Sequence, residues 1–223
     1  MTVVLVAGLG NPGSRYDRTR HNVGFDVVER LADRAGISLR EKRFKAELGS
    51  GRVGGESVVL CKPQTFMNRS GDSIGPMAGW YKLPPEQVVV LHDDLDLPFG
   101  DVRVKVGGGH GGHNGLRDLV RALPNPGFVR VRVGIGRPPP KMDVAGFVLA
   151  KWTPEEAGQL DGVVERAADA VEAVLAEGAK AAMNRVNGEG KARRKKKNDK
   201  SDTRGAAPAN DAESLRGEQN VGS

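Results

Sequence analysis

The sequence predicts an α/β protein: a single domain with a twisted, mixed and largely parallel β-sheet flanked by helices, followed by a disordered C-terminal tail. Short β-branched apolar runs alternate with segments whose apolar residues recur at helical spacing, which is typical of a sheet covered by helices. Residues 188–223 carry only Leu215 and Val221 as large apolar side chains, so burial cannot offset their ordering entropy. We therefore predict a folded domain over residues 1–187 and a basic tail over 188–223.

The strands are predicted from short apolar runs between turn residues. Continuous apolar runs indicate buried strands, whereas the alternation of valine with arginine or lysine in 101–106 and 129–135 predicts half-exposed ones. The pair Gly54-Gly55 favours a hairpin turn. The predicted strands are 2–7, 45–53, 56–62, 87–92, 101–106 and 129–135.

The helices are predicted from apolar spacing and from end signals. Asn22 is a plausible N-cap for the first helix and Gly36 closes it. Thr153 to Glu156 form a capping box with proline at the first helical position. The predicted helices are 22–36, 70–82, 114–122 and 153–175.

Composition excludes several classes of protein. The chain has one cysteine, Cys61, which excludes an intramolecular disulfide framework and a cysteine zinc site, and which we interpret as a packing residue. No apolar run approaches the roughly 18 residues of a membrane span, and the N-terminus lacks a basic leader. We therefore expect a cytoplasmic protein with no membrane partner. Half of the net charge of +6 lies in the tail, so the rest of the chain is only mildly basic. Such a charge permits a polyanionic partner but does not require one.

Polar residues concentrate at predicted strand ends, where open α/β sheets bind ligands. After the first strand come Asn11, Tyr16 and His21, whose imidazole suits a general base, although a helix-start histidine can also simply bond to backbone. Phe66 and Met67 form an apolar wall.

Asn68 adds a donor and an acceptor to that wall, although this segment also fits a simple helix entry. The run 92–96 (HDDLD) offers Asp93 to orient His21, as the acid does in a catalytic triad. The same run also fits a Mg²⁺ or Mn²⁺ site, or a solvated turn.

Five glycines within residues 107–112 imply mobility or a close approach of the backbone to a ligand. Asn114, at the entrance of the next helix, fits a donor to a developing oxyanion. Arg103 and Lys105 share one face of their strand, and Arg130 and Arg132 share one face of theirs. Such a basic face suits phosphate binding, although charged faces are also normal on edge strands.

Five segments resemble the bacterial-type peptidyl-tRNA hydrolase family, in the same order along the chain: GLGNPGSRYDRTRHNVGF, KPQTFMNRSG, HDDLDLPFG, GGGHGGHNGLRD and VRVGIGRP. The resemblance covers about residues 1–186 and implies a single α/β domain that hydrolyses the ester between peptide and tRNA, without a metal or cofactor, as a monomer. One departure is Asp94, where the family pattern more often has glutamate.

The resemblance also implies roles for single residues. His21 matches the base that activates water, Asp93 the acid that supports it, and Asn11 the residue that distinguishes N-blocked esters from free α-amino esters. Lys105 and Arg132 match a phosphate clamp for the acceptor stem. The remaining matched residues line the cleft for the tRNA 3′ end and the peptide; they are Tyr16, Phe66, Met67, Asn68, His113 and Asn114.

Two other functions remain open at this point. One is a metal-dependent phosphoester hydrolase that uses His92, Asp93, Asp94 and Asp96, with His110 as a further ligand. The other is a non-catalytic RNA-binding module whose main feature is the basic tail. Neither accounts for the asparagines and His21 together.

Overall fold

The computed structural model describes residues 3–204, with side chains up to residue 193. Contacts divide the chain into the units Met1–Gly190 and Lys191–Ser223. The strands are β1 (Val4–Gly8), β2 (Glu41–Arg43), β3 (Ala46–Val53), β4 (Glu56–Pro63), β5 (Val88–Asp94), β6 (Val102–Val106) and β7 (Val129–Gly134). The α-helices are α1 (Val23–Ala35), α2 (Gly71–Trp80), α3 (Asn114–Ala122), α4 (Val144–Leu149), α5 (Pro154–Glu177) and α6 (Ala179–Arg204).

The described strands form one mixed sheet in the order β2-β3-β4-β1-β5-β7-β6. β1 pairs in parallel with β4 and β5, and β5 pairs in parallel with β7. The pairs β2–β3, β3–β4 and β6–β7 are antiparallel. The predicted α/β class with a mixed sheet is confirmed, and β1, β4, β5 and β7 end at the same edge.

Both faces of the central strands are buried under helices. Val6 and Leu91 belong to a core that includes α1 and α5, whereas Leu5 and Val90 belong to a second core that includes α2 and α3. Successive strand residues point to opposite faces, so a strand buried on both sides needs a continuous apolar run. Cys61 of β4 is fully buried in the second core, which confirms its interpretation as a packing residue.

Most residues that were predicted to begin or end helices do so in the structure. Gly36 closes α1 in the left-handed conformation (φ 63°), and Thr153 forms the predicted capping box with Glu156. Asn22 occupies the N-cap position of α1, but its side chain makes no capping hydrogen bond. It binds the backbone of Asn11 instead.

Our prediction that β7 is half-exposed is wrong. β7 lies between β5 and β6, so β6, and not β7, forms this edge of the sheet. Arg130 of β7 is 2% exposed. The alternation of valine and arginine therefore reflects one apolar face and one polar face, on which Arg130 is buried and Arg132 is partly exposed.

The structure adds α4 and α6 to the predicted helices. Asn187 of α6 pairs with the edge strand β6: its Oδ1 accepts from the Val104 N–H (3.0 Å) and its Nδ2 donates to the Val104 carbonyl (3.0 Å). Residues 188–204, where we predicted disorder, lie in α6. A helix that is already nucleated extends at little cost through good helix formers such as lysine, arginine and alanine. Residues 205–223 of the predicted tail lie outside the described residues.

The described helices include none with the length and apolar character that crossing a bilayer requires.

Asp26 on α1 is a partly buried carboxyl group whose ionisation costs stability. Its Oδ2 is buried without a hydrogen-bond partner among the described residues. Burial, and then the neighbouring Glu29, raise the pKa of Asp26 from 3.8 to about 6. A raised folded-state pKa favours the protonated form, so this contribution is most favourable at low pH and is lost as pH rises through about 6.

We therefore expect Asp26→Asn to raise the free energy of unfolding by about 1–2 kcal/mol at pH 7.5 and to change it little at pH 4. Denaturant-induced unfolding at the two pH values measures the difference. Asp33→Asn, which changes an exposed aspartate two turns further along α1, is the matched control. An equal effect of Asp26→Asn at both pH values would contradict the assignment.

Candidate active site

A cleft of about 1040 Å³ opens beyond the carboxyl ends of the parallel strands. Its walls come from the loops that follow β1, β4 and β5, from the glycine-rich loop before α3, and from α4. The loops after residues 7, 62 and 92 were the predicted location. All eleven predicted site residues line the cleft: Asn11, Tyr16, His21, Phe66, Met67, Asn68, Asp93, Lys105, His113, Asn114 and Arg132.

A hydrogen bond between His21 and Asp93 lies at the base of the cleft. His21 belongs to a 3-10 turn, Arg20–Asn22, that leads into α1, and Asp93 lies near the end of β5. The Nδ1 atom of His21 is 2.8 Å from the Oδ1 atom of Asp93. Asp93 is 2% exposed and His21 is 8% exposed. The pair is therefore shielded from solvent but remains part of the cleft wall.

A second histidine contacts the same carboxylate oxygen. The Nε2 atom of His113 lies 3.0 Å from Oδ1 of Asp93, and its Nδ1 atom accepts the backbone N–H groups of Gly115 (3.1 Å) and Leu116 (3.3 Å). His113 is thus both the N-cap of α3 and a partner of Asp93.

The two imidazoles keep Asp93 ionised. Burial by itself raises the pKa of Asp93, but the charges and hydrogen bonds of His21 and His113 hold it well below its usual range. An ionised carboxylate accepts hydrogen bonds and donates none, so Nδ1 of His21 carries the proton of the shared bond. The neutral ring then has its unprotonated nitrogen, Nε2, available to the cleft.

Arg20 fixes the turn that carries His21. Its guanidinium donates to the backbone carbonyls of Ala150 (3.3 Å) and Lys151 (2.9 Å) and pairs with Glu156 at 2.5 Å. It is 4% exposed and stacks on the Phe147 ring at 4.4 Å. Arg20 had no predicted role, because no local pattern marks an arginine as buried.

Asn11 has a fixed amide orientation. Its Oδ1 accepts the backbone N–H of Met67 at 2.8 Å. Its backbone N–H donates to Oδ1 of Asn22, and its carbonyl accepts from Nδ2 of Asn22, both at 2.9 Å. Since the carbonyl oxygen of the Asn11 side chain is occupied, the amide NH₂ is the group it can offer to a ligand in the cleft.

The other asparagines lie at the mouth of the cleft, where both are exposed. Oδ1 of Asn114 accepts from Arg117 at 2.8 Å, which leaves its NH₂ as a donor. Asn68 follows Met67 in a 3-10 turn before α2. Phe66 is 55% exposed and packs edge-on against Tyr16, with ring centroids 6.5 Å apart. An exposed aromatic pair beside two amides suits a ligand with both apolar and hydrogen-bonding groups.

Basic side chains line the cleft on the side of β6 and β7. Lys105 and Arg132 both line it, and Nε of Arg132 donates to Asp94 at 2.7 Å. Arg130 donates to the carbonyls of Gly108 and Gly109, so it supports the glycine-rich loop from below. Burial, and then the neighbouring Arg132, lower the pKa of Arg130.

The alternative metal ligands do not converge. Asp94 pairs with Arg132, and Asp96 pairs with Arg137. His92 donates from Nδ1 to the carbonyl of Asp93 (2.7 Å), and burial lowers its pKa to about 3, so it is neutral. His110 accepts the Gly112 N–H on the exposed loop.

Another group of ligand-type atoms does lie together: those of His21, Asp93 and His113 are within 4.8 Å of one another. The two hydrogen bonds to Oδ1 of Asp93 account for this proximity.

The apolar wall formed by α4 was missed in the sequence. Val144, Val148 and Leu149 line the cleft, and Val144 is 51% exposed. The segment did contain a signal, because Asp143 precedes a short apolar run and caps α4 by accepting the Gly146 N–H. A six-residue helix is too short for its apolar residues to show a clear helical spacing in the sequence.

Comparisons with known proteins agree with this architecture. A family model described as peptidyl-tRNA hydrolase matches residues 5–198. Peptidyl-tRNA hydrolases of Mycobacterium tuberculosis and Mycolicibacterium smegmatis are 52% and 50% identical to the chain over 185 residues, which is 82% of the chain and 97% of each relative. The crystal structure of peptidyl-tRNA hydrolase from Acinetobacter baumannii superimposes with a TM-score of 0.78 at 45% identity, covering 83% of the chain and 95% of that structure.

The family model spans most of the chain, and the relatives are covered almost completely. Sequence, fold and the position of the cleft at the carboxyl edge of the sheet therefore agree, and the chain belongs to the peptidyl-tRNA hydrolase family.

Proposed function

We propose that the protein hydrolyses the ester bond between a peptide, or an N-blocked amino acid, and the terminal ribose of tRNA, and so releases free tRNA for translation in the cytoplasm. The observation that carries this proposal is the buried His21–Asp93 pair at 2.8 Å, which opens onto a cleft lined by three asparagines. Residues 1–187 form the catalytic domain. We further propose that it acts as a monomer, as the family resemblance implies.

The first step is attack of water on the ester carbonyl. Nε2 of His21 takes a proton from the water as the oxygen bonds to the carbonyl carbon, and Asp93 stabilises the imidazolium that forms. The carbonyl oxygen becomes an oxyanion, and the NH₂ group of Asn114 or Asn68, which both line the cleft, stabilises it with the help of backbone N–H groups of the loops. When the tetrahedral intermediate collapses, the C–O bond to ribose breaks and His21 returns its proton to the ribose oxygen.

Asn11 selects esters whose α-amino group is blocked. Its NH₂ faces the ligand because Oδ1 is held by the Met67 N–H at 2.8 Å. A peptide carbonyl accepts from this NH₂, whereas a free α-ammonium group brings a charge and only further donors. The unblocked ester therefore leaves polar groups unpaired, and unpaired buried polar groups are the strongest source of discrimination in binding.

The tRNA binds through phosphate at the basic side of the cleft. Lys105 and Arg132 lie on neighbouring antiparallel strands and line the same cleft. Arg132 uses Nε for Asp94, so its terminal NH₂ groups suit an approaching phosphate. Contacts of this kind position the acceptor stem but do not read its sequence.

Two rival functions lack comparable support. The predicted carboxylate ligands of a metal-dependent hydrolase pair instead with Arg132 and Arg137. A binding module has no need of a buried, ionised Asp93 bonded to two histidines. The general base at His21 accounts for this arrangement.

We expect His21→Ala to lower kcat on N-acetyl-aminoacyl-tRNA by about 10²–10⁴-fold while the fold is retained, because no other group then takes the proton from water. Single-turnover hydrolysis measures the rate, and circular dichroism checks the fold. Since the proposed reaction requires no metal ion, dialysis of the wild type against EDTA leaves its rate unchanged. Normal turnover by the variant, or a rate lost with EDTA and restored by Zn²⁺, refutes this mechanism.

We expect Asn11→Asp to reduce the preference for N-blocked esters by at least about tenfold, because a carboxylate accepts the α-ammonium hydrogens and repels peptide carbonyls. The ratio of kcat/KM for N-acetyl-aminoacyl-tRNA and aminoacyl-tRNA measures this preference. Asn125→Asp, which places the same charge on an exposed loop outside the cleft, is the matched control. A preference ratio unchanged in Asn11→Asp contradicts the role of Asn11.

We expect Lys105→Ala to raise KM for peptidyl-tRNA several-fold and to flatten its salt dependence by about one unit of log–log slope, because one phosphate contact is lost. Steady-state kinetics at three salt concentrations measure both effects. Arg40→Ala is the matched control, since it removes an exposed cation that immediately precedes β2 at the opposite edge of the sheet. If the slope of log KM against log salt concentration were the same in both variants, Lys105 would not contact phosphate.

A further inference from the structure

Both ring nitrogens of His113 are engaged, and this assigns its proton. Nδ1 accepts two backbone N–H groups at the start of α3, from Gly115 at 3.1 Å and Leu116 at 3.3 Å. A nitrogen that accepts hydrogen bonds carries no proton, so the single proton of the neutral ring lies on Nε2. Nε2 then donates to Oδ1 of Asp93 at 3.0 Å.

Oδ1 of Asp93 therefore accepts two N–H donors, one from His21 and one from His113. The second donor draws part of the negative charge of the carboxylate away from the bond to His21. This matters because a carboxylate that acts on His21 alone stabilises its protonated form, and a protonated ring cannot take a proton from water. Two donors on one oxygen also restrict the rotation of the Asp93 side chain.

We propose that His113 is a positioning residue that orients the Asp93 carboxylate and, by sharing its charge, keeps His21 in the neutral form that acts as the base. This proposal rests on the proposed function and deepens it. It gives His113 a role beyond lining the cleft: its side chain is 9% exposed, and both of its polar atoms are used within the protein.

The surroundings of His21 leave few other charges to control its protonation. Asp93 comes from β5, the short helix α4 has no charged residue, and Asp26 on α1 interacts with Glu29 and Arg18. Arg20 pairs with Glu156. The ionisable groups with rings or carboxylates next to His21 among the described residues are Asp93 and His113.

The two roles of His113 can be separated by side-chain length. The asparagine side chain ends near the position of Nδ1 of histidine, so His113→Asn keeps an accepting cap on α3, where asparagine is favoured, but does not reach Asp93. The glutamine side chain ends near the position of Nε2, so His113→Gln keeps a donor for Asp93 and loses the cap. If His113 acted only as the cap of α3, His113→Gln would impair the enzyme and His113→Asn would not.

We expect the opposite pattern in the pH profile of kcat/KM, which changes in His113→Asn and not in His113→Gln. In His113→Asn, the acid limb of kcat/KM moves to higher pH by about 0.5–1 unit, because Asp93 then acts on His21 alone. The limiting kcat of the same variant falls about tenfold, because Asp93 is less well oriented. In His113→Gln, the acid limb stays at the wild-type pH and the protein unfolds at a lower temperature. A pH profile of His113→Asn that superimposes on that of the wild type overturns the proposal.

A measurement without substrate keeps this test separate from that of the proposed function. The chain has four histidines, so their ring nitrogens can be assigned individually by ¹⁵N NMR. We expect Nε2 of His113 to be protonated and Nδ1 unprotonated at pH 7, and the titration midpoint of His21 to rise in His113→Asn. A proton on Nδ1 of His113 overturns the proposal whether or not the protein hydrolyses peptidyl-tRNA. Absence of hydrolysis with the expected tautomer refutes only the proposed function.

Discussion

The cleft depends on one interaction, the hydrogen bond from Nδ1 of His21 to the buried carboxylate of Asp93. A buried carboxylate is costly because it loses its hydration, and it stays ionised only where donors replace the lost water. The imidazoles of His21 and His113 supply those donors. Because the carboxylate accepts both, each ring is confined to one orientation and one tautomer. The chemistry available at Nε2 of His21 follows from this arrangement.

The sheet makes this arrangement possible. Asp93 lies next to the end of a strand buried on both faces, His21 follows the loop after β1, and His113 caps α3. These residues are far apart in the sequence, but parallel strands bring their carboxyl ends to the same edge. Close packing maintains the geometry: a Cβ atom on Gly24 of α1 would lie 2.5–2.6 Å from backbone atoms of Leu9 and Leu91, so α1 lies directly against the strands beside the site.

Much of this could be predicted from the sequence, because strand apolarity, glycine pairs and capping residues are local signals. Predictions failed where the decisive contact is distant in the chain. Arg130 was expected on a half-exposed strand, but the position of β6 beyond β7 buries it. Asn22 was expected to cap α1, but its side chain binds the backbone of Asn11 instead. The role of Arg20 depends on Glu156 and on carbonyls more than 120 residues away, a dependence that no local pattern encodes.

The distribution of charge in the cleft fits the proposed substrate, an ester that joins two chemically different molecules. Among the described residues that line the cleft, the buried carboxylate is that of Asp93, and the imidazoles of His21 and His113 bind it. Cations lie to one side, on β6 and β7, where Lys105 is free of the carboxylate that Arg132 binds. Amides and the apolar α4 form the rest. In the proposed function, these walls attract the polyanion and the peptide to different sides, which would place the bond between them beside His21.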